Sequence, residues 1–337
     1  MELKLYFTTM KSKAVLKVGQ YLVAKANYKS NTVDMYIKGE LVGQAELECC
    51  KPAFQLREQL KAVVTKVMED GYELQIVRFA DLHRHTGFSL LDGATKIPSL
   101  VAKTEYCGAI TDHGVMYGFV EFYKQMKKAG KQPIIGFEAY AETIDKVKSR
   151  NHLLILAKNK TGYKNIVKLT SKAYDNFLGK PHVSYEMLKE YSEGLIVTSA
   201  CIGGEIPRKI LKDDYEGAKK VALEFKSIWG EDFYLEIQRH NMGAEEDKAN
   251  AGILKLGKEL GIKVVATTDS HYTNKEDSRE HEILLCLQTG TTLSNENHMK
   301  FKGTGYHIHT PEEMEMLFSD IPEVLDNTRS EERRVGK

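Results

Sequence analysis

The amino-acid sequence predicts an α/β fold, a distorted seven-stranded (β/α) barrel over residues 79–328, preceded by a small α+β domain over 1–78. Three observations carry this expectation. From Phe79 onward, short apolar runs alternate with helical patterns. Seven such runs can be counted, enough for a closed or nearly closed barrel. Nearly every run ends in a residue able to bind a metal, at the strand ends where barrel chemistry collects.

In the first 78 residues, Leu3, Leu5 and Phe7 alternate, as do Val33, Met35 and Ile37, and both sets suit half-buried strands. Ala14 to Tyr28 reads as a strand pair broken near Gly19. Pro52 stands where a helix would start, and Leu56, Leu60, Val63, Val64 and Val67 follow at three- and four-residue spacing, predicting one amphipathic helix. The adjacent Cys49 and Cys50 fit sheet positions better than ligand positions.

The barrel runs are Phe79 to Leu82, Gly108 to Thr111, Pro133 to Phe137, His152 to Ala157, Gly194 to Thr198, Phe233 to Ile237 and Lys263 to Thr267. Between them lie helices such as Tyr117 to Ala129 and Tyr215 to Trp229, whose lysine-rich faces read as solvated surface; the run Lys124 to Lys131 would also suit a DNA backbone. The run ends supply His83 and His85, Asp112 and His113, Glu138, Cys201, Arg239 and His240, and Asp269 and His271. His152 instead begins its run. Few residues separate Tyr140 from His152, which favours a hairpin over a parallel crossover and would return His152 to the same rim.

The stretch FADLHRHTGFSLLDG, residues 79–93, opens the barrel. In an extended strand His83 and His85 share a face with Asp81, and Asp92 can fold back after the turn-prone segment containing Gly87 and Ser89. Taken alone, the pair reads equally as half a metal site or as two ordinary strand histidines.

Composition narrows the classes. No apolar run approaches the roughly 20 residues that span a bilayer. The start MELKLYFTTMKSK lacks a signal-peptide pattern, and five cysteines without a CxxC pair suggest neither a disulfide framework nor a zinc ribbon, so a cytoplasmic location is expected. With 48 Lys and Arg against 47 Asp and Glu, any nucleic-acid contact needs a local basic surface.

The motifs LHRHTGFSLLDG, TDHGVMYGFVEFYKQMKKAGKQPIIGFEAY, HLLILAKNKTGYKNIVKL, SACIGGEI, YLEIQRH and TTDSHY, in that order, resemble the PHP (polymerase and histidinol phosphatase) domain of the bacterial DNA polymerase III alpha subunit. The resemblance runs from about Phe79 to Thr328; residues 1–78 fall outside it, which leaves a phage-type or divergent subunit open. It implies a barrel of PHP type and nine ligands around up to three metals: His83, His85, Asp92, His113, Glu138, His152, Cys201, Asp269 and His271. Imidazole, carboxylate and one thiolate suit Zn2+, with Mn2+ or Fe2+ as alternatives. The implied reaction is phosphate ester hydrolysis, specifically 3′-to-5′ removal of nucleotides from a DNA 3′ end, with other polymerase III holoenzyme subunits as partners through the full-length protein. Arg239 and His240 are candidates to contact the scissile phosphate, Arg239 being equally suited to a structural salt bridge. Asp112 suits either a partner orienting a histidine or a turn.

Two other readings compete: a stand-alone PHP phosphoesterase on a small phosphate monoester, and a non-catalytic, metal-stabilised scaffold that holds a proofreading subunit. His307 and His309 read as plain strand residues, and His182, His281 and His298 as surface residues. The sequence stops before the thumb and palm that the resemblance would lead into, so no polymerase active site is expected here. The final RSEERRVGK, residues 329–337, back-translates to a string resembling a sequencing adapter; a non-native, disordered tail on a truncated gene is the expectation.

Overall fold

The protein is described by a computed structural model, which covers residues 79–147, 149–177 and 179–332 and, before them, residues 4–7, 21–27, 29–30, 32–37, 40–46, 59–67 and 72–77. The early strands are β1 (Lys4–Phe7), β2 (Tyr21–Asn27), β3 (Thr32–Ile37), β4 (Glu40–Glu46), β5 (Gln59–Val67) and β6 (Tyr72–Val77). They form one antiparallel sheet in the order β1-β6-β5-β2-β3-β4. Leu22, Ala24, Val33, Met35, Ala62 and Val64 are buried in it. The helix expected from Pro52 is therefore corrected over Gln59–Val67, which is strand. Ala62 and Val64 are buried at a spacing of two, and the β-branched Val63, Val64 and Thr65 favour a pleated surface over a helix. Pro52, Leu56, Cys49, Cys50 and Ala14 to Gln20 lie outside the described residues.

The remainder runs α1 (Ile97–Lys103), β7 (Cys107–Ile110), α2 (Phe119–Lys128), β8 (Gln132–Ala141), β9 (Asn151–Ala157), α3 (Lys160–Asp175), β10 (His182–Val183), α4 (Tyr185–Glu190), β11 (Leu195–Thr198), α5 (Glu205–Leu211), α6 (Tyr215–Trp229), β12 (Phe233–Ile237), α7 (Ala244–Leu260), β13 (Val264–Ala266), α8 (Ser278–Thr289), α9 (Pro311–Leu317) and α10 (Glu323–Glu332). A curled, mixed sheet of seven strands follows the order β10-β8-β9-β11-β12-β13, with β7 also on β8. β9 is antiparallel to both neighbours, whereas β7 with β8, β10 with β8, β11 with β12 and β12 with β13 are parallel. The hairpin expected between β8 and β9 is thus present, and it sets His152 opposite Tyr140.

Phe79 to Leu82 is extended but is not a ladder strand. The chain from there to Arg84 touches the sheet through single parallel bridges, Asp81 with Gly108 on one side and Arg84 with Ser270 on the other. Those bridges join the β7 edge to the chain leaving β13, so this segment closes the curl. β10, only two residues long, carries no periodic signal and was not expected.

Alternation along each strand separates two cores. Phe137, Leu153, Ile155, Phe233, Leu235 and Ile237 pack outward under the helices, with Leu169, Phe225 and Leu256. Ile134, Leu154, Leu156, Ile196, Tyr234 and Val265 fill the barrel interior. Counting on by two from the interior residues leads to Glu138, Thr198, Glu236, Thr267 and Asp269. The period that builds the inner core therefore also delivers polar groups to its top. Among the described residues no helix is long and apolar enough to cross a membrane. Arg329 to Glu332 continue α10, so the disorder expected of the tail does not extend to them, and residues 333–337 lie outside the described part.

Candidate metal centre

Glu138, on β8 above Leu154, is the hub. Its Oε1 lies 3.3 Å from His83 Nε2, 2.9 Å from His152 Nδ1 and 3.7 Å from Cys201 Sγ. Its Oε2 lies 2.6 Å from His113 Nδ1 and 3.5 Å from His85 Nε2. Asp269 Oδ1 stands 3.2 Å from His83 Nε2 and 3.1 Å from His85 Nε2. Asp92 Oδ2 is 3.1 Å from His113 Nε2, and its Oδ1 is 3.9 Å from His271 Nε2. His152 Nδ1 is 3.3 Å from Cys201 Sγ. All nine residues expected as ligands thus meet in one connected cluster at the carboxyl rim, largely buried.

Hydrogen bonds behind the imidazoles decide which nitrogen faces inward. Ser89 Oγ donates to Asp112 Oδ1 at 2.8 Å, so it must accept from His85 Nδ1–H at 3.0 Å, leaving the lone pair of His85 Nε2 aimed at the cluster. His83 Nδ1–H donates to Glu236 Oε1 at 2.7 Å, and His271 Nδ1–H to the carbonyl of Asp269 at 2.8 Å, which turns the Nε2 of each toward the cluster. At His85 the lone pair of Nε2 then confronts Asp269 Oδ1 at 3.1 Å with no proton between them. His83 Nε2, His113 Nδ1, His271 Nε2, Glu138 Oε2 and Asp92 Oδ1 are all buried without a hydrogen-bond partner. A buried set of imidazole nitrogens and carboxylate oxygens converging without hydrogen-bond partners fits divalent cations, which would displace any protons and satisfy the set together.

Charge follows the same pattern. Burial works against ionising Asp92, yet the histidines His271, His113 and His281 hold its carboxyl well below the ordinary range. Burial likewise opposes a charge on His113, but Glu138 and Asp92 raise it to about 10. Burial, with Glu138 and Asp269 adding to it, pushes the Cys201 thiol up, so this sulfur needs a cation nearby to become a thiolate. The backbone contributes too: Asp269 sits at φ 44°, a left-handed conformation rare outside glycine. In the SACIGGEI turn a Cβ on Gly204 would come 2.2 Å from the Ser199 carbonyl, so only glycine lets the chain turn there after Cys201.

The three other expected site residues divide. Asp112 accepts from Thr86 N at 2.7 Å, from Thr86 Oγ1 and from Ser89, so it acts on His85 through Ser89 rather than forming a turn. His240 lines a cavity of about 40 Å³ together with Cys201, Asp269, Glu236 and Gln238. It stacks on Tyr306 with ring centroids 3.9 Å apart, and burial lowers its pKa to about 4, keeping it neutral. Arg239 is not at the cluster, which corrects the expected phosphate contact. Its guanidinium grips Asp320 with two bonds, 2.7 and 2.9 Å, donates to the Leu317 carbonyl and lies over the Phe318 ring.

Two residues were missed. Glu236 accepts from His83, Thr198, Thr267 and Gln238 inside the barrel, and a glutamate amid the apolar run Phe233 to Ile237 was the available signal. His281, expected at the surface, is 3% exposed on α8 with Nε2 3.7 Å from Asp92 Oδ1, packed on Tyr272 and Phe301. His182, also expected at the surface, is buried near Glu142. His307 and His309 are buried and stacked on each other, His307 bridging to Tyr272.

The family model for the PHP domain matches residues 81–240. The DNA polymerase III subunit alpha of Borreliella burgdorferi is 47% identical over 264 residues, covering 74% of this chain and 23% of that protein. The corresponding subunits of Helicobacter pylori and Thermus aquaticus are each 41% identical over 271 residues, covering 74% and 75% of this chain and 22% of each relative. The chain therefore spans less than a quarter of the length of these curated relatives.

Proposed function

The chain belongs to the PHP domains of DNA polymerase III alpha subunits, and we propose that it is a metal-dependent phosphoesterase that removes nucleotides from a DNA 3′ end. The observation that carries this reading is Glu138, whose two oxygens are faced by five donor atoms from four different segments of the chain. A carboxylate with separate donor groups facing each oxygen would help hold more than one cation. His83, His85, Asp269, His113, Asp92, His271, His152 and Cys201 complete the set, and imidazoles with one sulfur favour zinc, with manganese or iron as alternatives. Bound divalent cations in such a set supply an activated water at neutral pH and neutralise charge on phosphate oxygens.

The chain's own residues do the rest. Asp112 through Ser89, and Glu236 directly, hold the proton of His85 and of His83 on the nitrogen that faces away from the site. Neutral His240, with Nδ1 3.2 Å from the Gly305 carbonyl and Nε2 3.3 Å from Gln238 Oε1, stands at the cavity wall where a substrate oxygen would meet it. In the whole polymerase this activity would serve proofreading, beside the other holoenzyme subunits.

The test is digestion of a 3′-mispaired primer on a template by the purified chain, with zinc or manganese restored after chelation. Metal-dependent loss of single 3′ nucleotides, abolished by Asp269→Asn, is expected. Intact primer with metal fully bound would contradict the reading.

A further inference from the structure

Three large aromatic side chains stand together on the surface beside the cluster. Tyr117, Tyr174 and Phe177 are 57%, 44% and 59% exposed. The two tyrosine hydroxyls are 2.7 Å apart, and the Tyr174 and Phe177 rings stack at 6.4 Å with their planes 21° apart. Aromatic area held out in water as a joined group marks a binding surface more often than scattered exposure does.

Chain connectivity places this shelf at the rim. Tyr117 ends the loop that begins at His113. Phe177 lies in the connection from α3 to β10, and β10 pairs with β8 at Tyr140 and Ala141. Tyr140, where β10 meets β8, borders the cluster, its ring 5.8 Å from His113 and 5.4 Å from His152. Two cations flank it. Lys180 Nζ is 5.7 Å over the Tyr140 ring. The Arg150 guanidinium lies close over Gly179, whose φ of +68° is the left-handed conformation that favours glycine. The nearby Asp175 lines a groove with Lys146, Lys172, Glu142 and Glu186.

We propose that Tyr117, Tyr174 and Phe177, with Lys180 and Arg150, seat the terminal nucleotides of single-stranded DNA so that its last phosphodiester reaches the cluster. This rests on the hydrolytic reading above and names its substrate as a strand end. Bases stack on aromatic faces without sequence preference, and cations near the rim suit the backbone phosphates. A small phosphate monoester without a base would make no use of the shelf.

The experiment is fluorescence anisotropy of a 5′-labelled oligothymidylate with the full chain, in chelator so that the DNA survives. Phe177→Ala and Tyr117→Ala are each expected to weaken binding roughly tenfold, and Phe177→Tyr to retain it. Lys180→Ala should lower the slope of log affinity against log salt by about 0.7. An oligonucleotide that does not bind, or that binds Phe177→Ala as tightly as wild type, overturns the proposal. Metal-restored hydrolysis of bis(p-nitrophenyl) phosphate by the wild-type chain separates the two readings. Hydrolysis together with equal binding by Phe177→Ala removes the shelf alone. No hydrolysis together with aromatic-dependent binding leaves the shelf and removes the hydrolytic reading.

Discussion

Replacing Glu236 by Gln takes one charge and almost no volume from beneath the cluster. In the native protein Glu236 Oε1 accepts from His83 Nδ1 at 2.7 Å, Thr267 Oγ1 at 2.5 Å and Gln238 Nε2 at 2.9 Å, while Oε2 accepts from Thr198. An amide turns one of the two acceptor atoms into a donor, so at least one neighbour must reorient, and His83 keeps at best a neutral acceptor. A charge-assisted bond contributes about 1.5–3 kcal/mol against about 0.5–1.5 for a neutral one, so His83 loses roughly 1–1.5 kcal/mol of orientation. That agrees with the roughly 10- to 100-fold loss of metal affinity typical of changes just behind a ligating histidine. The expected outcome for Glu236→Gln is about tenfold weaker zinc binding, measured by competition with a chromophoric chelator, with a melting temperature close to wild type. Glu236→Leu instead leaves an imidazole, two hydroxyls and an amide facing a hydrocarbon, at about 1–3 kcal/mol each, and is expected to fold poorly. Affinity of Glu236→Gln within twofold of wild type would refute the claim that this carboxylate orients His83.

Other outcomes follow from the same geometry. Arg239→Lys loses the bidentate grip on a largely exposed Asp320, so about 1 kcal/mol and a few degrees of melting temperature should go while primer digestion keeps its rate; loss of digestion without loss of stability would restore Arg239 to the site. His281→Phe keeps the packing on Tyr272 and Phe301 but removes the nitrogen facing Asp92, and should weaken metal binding several-fold in the chelator competition; unchanged affinity would make His281 a packing residue only. Glu205 is buried, and desolvation lifts its pKa to about 7. A carboxyl raised in the folded state stabilises fully below its unfolded value near 4.5 and loses that contribution as pH climbs through 7, so Glu205→Gln should melt like wild type at pH 4.5 and higher at pH 8, by up to about 3 kcal/mol. Melting curves equally separated at both pH values would rule this out.

The barrel was legible because its strands carry two messages at once. Leu154 and Leu156 alternate with Leu153 and Ile155, so the run reads as a strand covered on both faces, and the residue at each run's end announces the site. Spacing alone was ambiguous at Gln59–Val67, where three- and four-residue intervals coexist with a buried alternation at Ala62 and Val64; the cluster of β-branched residues was the better guide. Phe79 to Leu82 reads correctly as extended, but whether an extended segment makes a ladder depends on neighbours that lie far away in sequence. For the site, the nine candidate ligands lie within one cluster of side chains. Glu236 and His281 escaped because each stands alone, one inside an apolar run and one on a helix beyond the last barrel strand. Arg239 looked catalytic by its position beside His240, yet adjacent residues near a strand end point opposite ways, and only His240 lines the cavity.

The most direct measurement is the metal content of the purified chain, by inductively coupled plasma mass spectrometry after dialysis against trace metal, with Glu138→Gln beside it. A multi-metal site that Glu138 would help hold predicts more than one tightly held ion per wild-type chain, up to three, and a clear drop in the variant. A wild-type chain holding no ion, or a content that Glu138→Gln leaves unchanged, would contradict it.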